Sequence, residues 1–320
     1  MQTCLVTGAG GFLGRELVRQ LSRETGFRIK LLVRGPWVGN ETCECVTGSL
    51  STQPDSYRHA LQGVDTVFHL AAIAHTNADP DQYRLINCEA TLALARQAEM
   101  SGVKRFVFVS STKAAADPGA LRRDESWSDW PADPYGYWKR RAEQQLLDGI
   151  AIPHLSIIRP CLMYGPGLKG NLYSMLHAID KGYFPPVPET GAERSMVSVQ
   201  DVAHALRMVA MHPEANRKVL IAADGEAYTA HKIYQAMRQA LGKPPARWTL
   251  PMGLLKGMGH CGDLLQRLWP ASPICTDTVE RLMGPAAYSA SALCNLGWGP
   301  ACTFYEALPE IVGYYREHVG

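Results

Sequence analysis

The chain has 320 residues, 46% of them hydrophobic and 19% charged, enough to bury a substantial core in one large or two closely joined domains. A net charge of +2 and a pI near 8.1 argue against nucleic acid or an anionic membrane as the main partner. No run of about 18 apolar residues occurs, and MQTCLVTG enters a strand at once, so membrane insertion and a signal peptide are not expected and the protein reads as cytoplasmic. The nine cysteines are scattered through apolar stretches. Cys43 and Cys45 form a C-x-C without the second pair a zinc site needs, so reduced thiols and no metal are expected.

In chain order, apolar runs at TCLVT, RIKLLV, TVFHLAA, RFVFVSS and HLSIIRP read as strands. Between several of them lie helical patterns such as GRELVRQLSRE and LINCEATLALARQAEMSG, with apolar residues three and four apart. Short, nearly all-apolar strands alternating with helices predict an α/β fold, a Rossmann-type doubly wound parallel sheet covered on both faces. The final third is rich in Pro and Gly (FPPVP, GKPPARW, TLPMG) and suits a smaller, mixed lobe over the C-terminal strand edges. We therefore expect a dinucleotide-binding domain over 1–163, to which the chain returns at about 195–225, and a substrate lobe from 164–194 and 226–320. Within that lobe MGLLKGMGHCGDLLQRLW reads as a packed helix, with an amphipathic surface or membrane-touching helix as the alternative.

The first strand runs into TGAGGFLG, a G-x-x-G-x-x-G turn with glycines at 8, 11 and 14. Gly8 permits the tight turn, Gly11 lets a pyrophosphate approach the backbone, and Gly14 lets the helix pack on the strand. The helix N-terminus favours the phosphate charge. A nicotinamide dinucleotide is the expected cofactor. The second strand ends in Val33-Arg34, where an NAD-specific site would carry an acid for the ribose hydroxyls. Arginine suits a 2′-phosphate, with Arg15 assisting, so NADP(H) is favoured and NAD(H) possible.

Tyr135 and Lys139 in PYGYWK share a helix face, and RFVFVSS ends in Ser111. A free phenol is a poor acid or base near neutrality, and an adjacent ammonium favours its ionised form. Tyr135 is therefore the expected proton donor and acceptor, Lys139 its tuner and a ribose ligand, and Ser111 the hydroxyl that fixes a substrate oxygen, with Thr112 as a nearby substitute. Together with the glycine turn, this set reads as a nicotinamide-dependent oxidoreductase. Tyr228 and Lys232 repeat the spacing, but without a glycine turn or a serine-ended strand to serve them, and read as a helix start.

TGAGGFLG, VFHLAA, INCEAT, RFVFVSS, PYGYWK and RPCLMYGPG occur in this order and cover nearly the whole chain. The set resembles the extended short-chain dehydrogenase/reductase family and, within it, is most similar to the nucleotide-sugar epimerases and reductases of polysaccharide synthesis. The resemblance implies cofactor contacts from Phe12, Leu13, Ser49, Leu50, Leu70, Ala71, Ala72, Asn87 and Pro160, and a substrate lobe that begins at Gly165. It also implies a UDP-sugar substrate held by Ser111, Thr112, Asn171, Leu172 and Arg194. A homodimer through helices at 87–101 and 135–148 is implied as well.

Several positions depart from the pattern. Ser49 stands where an acid often contacts the adenine loop, RPCLMYG lacks the usual asparagine, and Trp138 replaces a small residue, where it reshapes the sugar pocket or simply packs. Dehydratases of the family carry an Asp-Glu pair after the strand-end hydroxyl; Thr112-Lys113 follow Ser111 here, which disfavours dehydration. Reduction of a UDP-4-keto-6-deoxy-N-acetylhexosamine for O-antigen synthesis is the favoured expectation. A UDP-hexose 4-epimerase is the alternative, followed by a non-sugar ketone reductase and a non-catalytic NADP-binding protein.

Overall fold

Nine strands are described: β1 (Gln2–Thr7), β2 (Phe27–Val33), β3 (Cys43–Thr47), β4 (Thr66–His69), β5 (Arg105–Val109), β6 (His154–Pro160), β7 (Leu162–Tyr164), β8 (Met196–Ser198) and β9 (Val219–Ala222). In the computed structural model seven of them form one parallel sheet, in the order β3-β2-β1-β4-β5-β6-β9. The order reverses beside β1, so a crevice opens where the chain leaves its C-terminal end, the place where such sheets take ligands. The structure describes residues 1–35, 37, 43–50, 55, 57–74, 79–116, 119, 122–127, 129–266 and 276–319.

Alternate strand residues face opposite layers. Cys4, Val6, Ile29 and Leu31 pack with Leu13 and Leu17 of α1 (Phe12–Ser22) and with Val202 and Leu206 from later in the chain. Leu5, Val67, Phe106 and Phe108 face the other way. That layer begins with a short turn α2 (Pro80–Gln82), which runs through a π-helical stretch, Tyr83–Glu89, into α3 (Ala90–Met100), followed by α4 (Pro134–Gly149). Trp138 is half-buried and packs against this second layer.

After β6 the chain leaves the sheet. β7 pairs with β8 as a separate two-stranded ribbon, and α5 (Gly170–Lys181) lies between them in sequence. The chain then returns through α6 (Val199–Met211), the source of Val202 and Leu206, to β9 at the sheet edge. The remaining helices are α7 (Ala230–Ala240), α8 (Met252–Gln266), α9 (Thr276–Met283), α10 (Ser291–Cys294) and α11 (Phe304–Val319). Residues of α5, α7, α8, α9 and α11 share their own apolar cluster, which includes Leu172, Leu176, Ile233, Met237, Leu255 and Phe304. Among the described residues no helix is long and apolar enough to cross a membrane, and the eight described cysteines are free. Arg267–Trp269, the end of the segment expected to form α8, lie outside the described residues.

Candidate active site

The glycine turn fits a dinucleotide for steric reasons visible at two positions. Gly8 has φ +73°, and a Cβ there would sit 2.7 Å from the Ala71 nitrogen; a Cβ on Gly14 would sit 2.2 Å from the Gly8 carbonyl oxygen. Helix α1 starts at Gly11 with no side-chain cap, so the N–H groups of its first turn, at Phe12 and Leu13, are open to an anion. Leu70, Ala71 and Ala72 follow β4 beside this turn and are half-buried. At the sheet edge Arg34 is exposed at the end of β2, Ser49 is exposed after β3, and Leu50 leans on the second layer. Arg15 is exposed on the first turn of α1 and lines a groove shared with Lys169, Tyr173 and Tyr314.

Asn87 is fully buried on the π-helical stretch. Its Oδ1 accepts from the Ile73 nitrogen at 2.8 Å and its Nδ2 donates to the Ile73 carbonyl at 2.9 Å. It thereby clamps the segment after β4 that carries Leu70–Ala72.

Ser111 follows β5 and caps the turn Thr112–Ala115: its Oγ accepts from the Lys113 nitrogen at 3.2 Å. This leaves the hydroxyl proton for the Tyr135 oxygen, with which it shares a hydrogen bond. Helix α4 begins at Pro134 with Asp133 as its cap, accepting from the Gly136 nitrogen at 2.9 Å. A Cβ on Gly136 would meet the Lys113 carbonyl at 2.4 Å, so the glycine after Tyr135 lets the helix start abut the Ser111 turn. Tyr83 meets the Tyr135 ring edge-on at 6.0 Å. Thr112 is buried and donates to the Pro160 carbonyl at 3.4 Å, which ties the turn to β6.

Lys139 is 1% exposed. Its Nζ donates to the Val109 carbonyl at 2.9 Å and stands 4.5 Å above the Phe108 ring. Burial lowers its pKa to about 7, against an upward pull from Glu143. Burial likewise pushes the Tyr135 phenol up to about 12, outweighing the Ser111 hydrogen bond. The groups acting on this phenol are Ser111, Asp133 and Tyr83, while the Lys139 Nζ is turned to the β5 backbone.

Two arrangements went unnoticed in the sequence. Glu143, four residues beyond Lys139, accepts from Arg159 Nε at 2.8 Å and Nη2 at 2.5 Å, with both partners buried. The signals were a carboxylate at helical spacing and one arginine in an apolar strand. The other is His69, wholly buried at the end of β4 and stacked on Phe108. Its Nδ1 meets Thr7 Oγ1 at 2.7 Å and its Nε2 meets Thr91 Oγ1 at 2.9 Å. Thr91 donates to the Asn87 carbonyl at 3.1 Å, and Thr7 Oγ1 accepts from the Ala71 nitrogen. Only one tautomer satisfies every member: His69 donates from Nε2 and accepts at Nδ1. Burial and Lys139 hold its pKa down at about 3, so the ring stays neutral.

The expected substrate residues of the lobe stand on separate elements. Asn171 is exposed in the first turn of α5. Leu172 turns into the lobe core, because it stands on the apolar face with Met175 and Leu176; this corrects its assignment as a contact. Arg194 Nη2 donates to the carbonyls of Arg281, Leu282 and Gly284, so it caps the end of α9. Tyr228 is also accounted for. It is buried, donates to Asp224 Oδ2 at 2.6 Å and accepts from the Phe304 nitrogen, while Lys232 is exposed at the start of α7.

With this geometry in hand, comparison with known proteins is informative. The profile of the NAD dependent epimerase/dehydratase family matches residues 4–223. The chain is 31% identical to a UDP-glucose 4-epimerase of Vibrio cholerae, over 97% of this chain and 94% of the relative. It is 25% identical to the N-acetyl-alpha-D-glucosaminyl-diphospho-ditrans,octacis-undecaprenol 4-epimerase of Escherichia coli O157:H7, over 98% and 95%. A UDP-glucose 4-epimerase of Thermotoga maritima, solved with UDP-glucose, superposes with a TM-score of 0.77 over all of both chains at 20% identity, a likeness of fold.

Proposed function

Because the chain belongs to the NAD dependent epimerase/dehydratase family, an extended branch of the short-chain dehydrogenases/reductases, we propose that it oxidises and reduces C4 of a UDP-sugar. The observation that carries this reading is the Tyr135–Ser111 hydrogen bond, set one helical turn from buried Lys139. Gly8–Gly14 and Leu70–Ala72 would hold a nicotinamide dinucleotide, which would supply or accept the hydride. The chain's own residues move the proton. Ser111 donates to the reacting oxygen and holds it against Tyr135, and Tyr135 takes the C4 hydroxyl proton as the hydroxyl is oxidised and returns it on reduction. Lys139 would hold the ribose of that cofactor.

Within this reading 4-epimerisation, the alternative in the sequence, is now the better supported chemistry. The relatives named above are 4-epimerases, and Thr112-Lys113 after Ser111 offer no carboxylate pair for dehydration. Reduction of a UDP-4-keto sugar is the second reading. It is favoured by exposed Arg34, whose guanidinium suits the 2′-phosphate of NADPH. Asn171 and Arg194 belong to the proposal as diphosphate ligands, Arg194 in addition to its capping of α9. So does a homodimer through α3 and α4, on which Met100 and Tyr137 are exposed.

Incubating the protein with UDP-glucose or UDP-N-acetylglucosamine, with no reductant added, tests the proposal. Formation of the C4 epimer is expected, and Tyr135→Phe should lower its rate about a thousandfold. Full turnover in that variant would remove Tyr135 from the chemistry. NADPH consumption with a 4-keto sugar, without epimer formation, would favour the reductase.

A further inference from the structure

Ala116, at the end of the turn that follows Ser111, has φ +63° and ψ 177°. That region is essentially reserved for glycine, and a residue with a side chain persists there only where its surroundings hold it. Among the described residues other than glycine, only Ala116 and Arg217 have a positive φ. What holds Ala116 comes from far along the chain. Tyr288, 4% exposed, donates from its phenol to the Ala116 carbonyl at 3.2 Å. Arg123 Nη1 donates to the neighbouring Ala115 carbonyl at 3.4 Å, and its guanidinium lies 3.8 Å above the Trp127 ring. Tyr288 is itself fixed at both backbone groups: its N–H donates to Ser195 Oγ at 2.9 Å, and that hydroxyl donates to its carbonyl at 3.0 Å. The backbone of Arg123 runs alongside, donating to the Ala287 carbonyl at 3.0 Å and accepting from the Ser289 nitrogen at 2.8 Å.

A path of hydrogen bonds leads from that phenol to the reaction centre. The Ala116 nitrogen donates to the Lys113 carbonyl at 3.3 Å, the Lys113 nitrogen donates to Ser111 Oγ at 3.2 Å, and Ser111 shares a hydrogen bond with Tyr135. The Lys113 carbonyl also abuts Gly136, where a Cβ would stand 2.4 Å from it, so the same residue touches the start of α4. We propose that Tyr288 is a positioning residue for Ser111: by holding the Ala116 carbonyl it keeps the turn in its strained form and the Lys113 amide on the serine oxygen. This inference rests on the proton-transfer roles given above to Ser111 and Tyr135, and adds to them a residue of the lobe, 177 positions along the chain from the serine. Without the phenol, Ala116 relaxes towards an ordinary backbone conformation, Lys113 moves with it, and the serine hydroxyl turns from Tyr135. Tyr288 acts through the turn, and the serine remains the group that meets the reacting oxygen.

The test is Tyr288→Phe, which keeps the ring and removes the hydroxyl, with Ala116→Gly made alone and in combination. Tyr288→Phe should lower kcat on the UDP-sugar about tenfold, the scale of one hydrogen bond, with KM and the thermal midpoint close to wild type. Glycine takes the conformation at 116 without strain, so Ala116→Gly should restore most of the lost rate in the double variant. A role in stability alone gives no such rescue. Amide hydrogen exchange in the cofactor-free protein needs no substrate: the amides of Lys113, Ala114 and Ala116 should exchange faster in Tyr288→Phe, with those of α4 unchanged. Unchanged exchange in the turn overturns the proposal, as does a wild-type kcat in Tyr288→Phe where Tyr135→Phe is inactive. A loss of rate that Ala116→Gly does not relieve overturns it too, by assigning the phenol to packing. Full turnover in Tyr135→Phe is a different failure, that of the proton-transfer reading itself.

Discussion

Lys139 and Glu143 stand one helical turn apart in α4, yet the carboxylate is turned away from the ammonium and taken by the Arg159 guanidinium at 2.8 and 2.5 Å. The only hydrogen bond described for the lysine goes to a neutral carbonyl, Val109 O. A buried ammonium without a dedicated counter-ion is held closer to neutrality than a free one, and this shapes how the protein responds to pH.

The folded pKa of Lys139 is about 7, against 10.5 ordinarily. Between those values the unfolded chain holds a proton that the folded protein does not, so stability should rise with pH across that window. Lys139→Met should flatten this slope and, in the cofactor-free protein, be more stable than wild type near the lower end of the window. Urea midpoints measured across the window check this; a parallel slope in the variant would place the titration elsewhere.

Arg159→Met should destabilise by about 3–5 kcal/mol, because it leaves the buried Glu143 carboxylate with only the longer Arg140 contact at 3.8 Å. Replacing both, Arg159→Met with Glu143→Leu, should recover most of that loss. The double-mutant cycle, read by chemical denaturation, gives the coupling directly. Additive effects would mean that the pair is not a unit.

His69→Ala should cost about 2–4 kcal/mol, through the cavity and the two threonine hydroxyls it leaves without their partner. In the wild type the folded pKa near 3 lies below the ordinary 6.5, so stability should fall as pH drops through that interval. The variant should lack this component of acid sensitivity. Thermal unfolding at the two ends of the interval separates the outcomes.

Gly14→Ala should abolish dinucleotide binding, since its methyl would overlap the Gly8 carbonyl oxygen. Gly10→Ala is the control: a Cβ there meets nothing nearer than the Trp37 ring at 3.6 Å. Quenching of protein fluorescence by added NADH should persist in the control and vanish in the first variant.

The strands and the glycine turn were legible because their signals are local. The apolar run of β1, buried over its last four residues, and the spacing of Gly8, Gly11 and Gly14 each lie within a few residues. The doubly wound sheet is present as expected, including β9 at its edge. What the sequence could not reveal depends on long-range choices made by polar side chains. Arg194 could serve a phosphate or a helix end, and the carbonyls of Arg281, Leu282 and Gly284 are supplied from far along the chain. Leu172 and Asn171 are neighbours, but the helix turns one inward and the other out. His69 lay in plain view in VFHLAA, and only the fold brings Thr7 and Thr91 to its two nitrogens.

The Thr7–His69–Thr91 chain starts at the Ala71 amide and stops at the Asn87 carbonyl. Neither terminus can release or capture a hydrogen ion, so the row of hydroxyls and imidazole conducts nothing, however well aligned. It is a closed, insulating row that fixes the Ala71 and Asn87 backbone in place and carries no proton toward solvent.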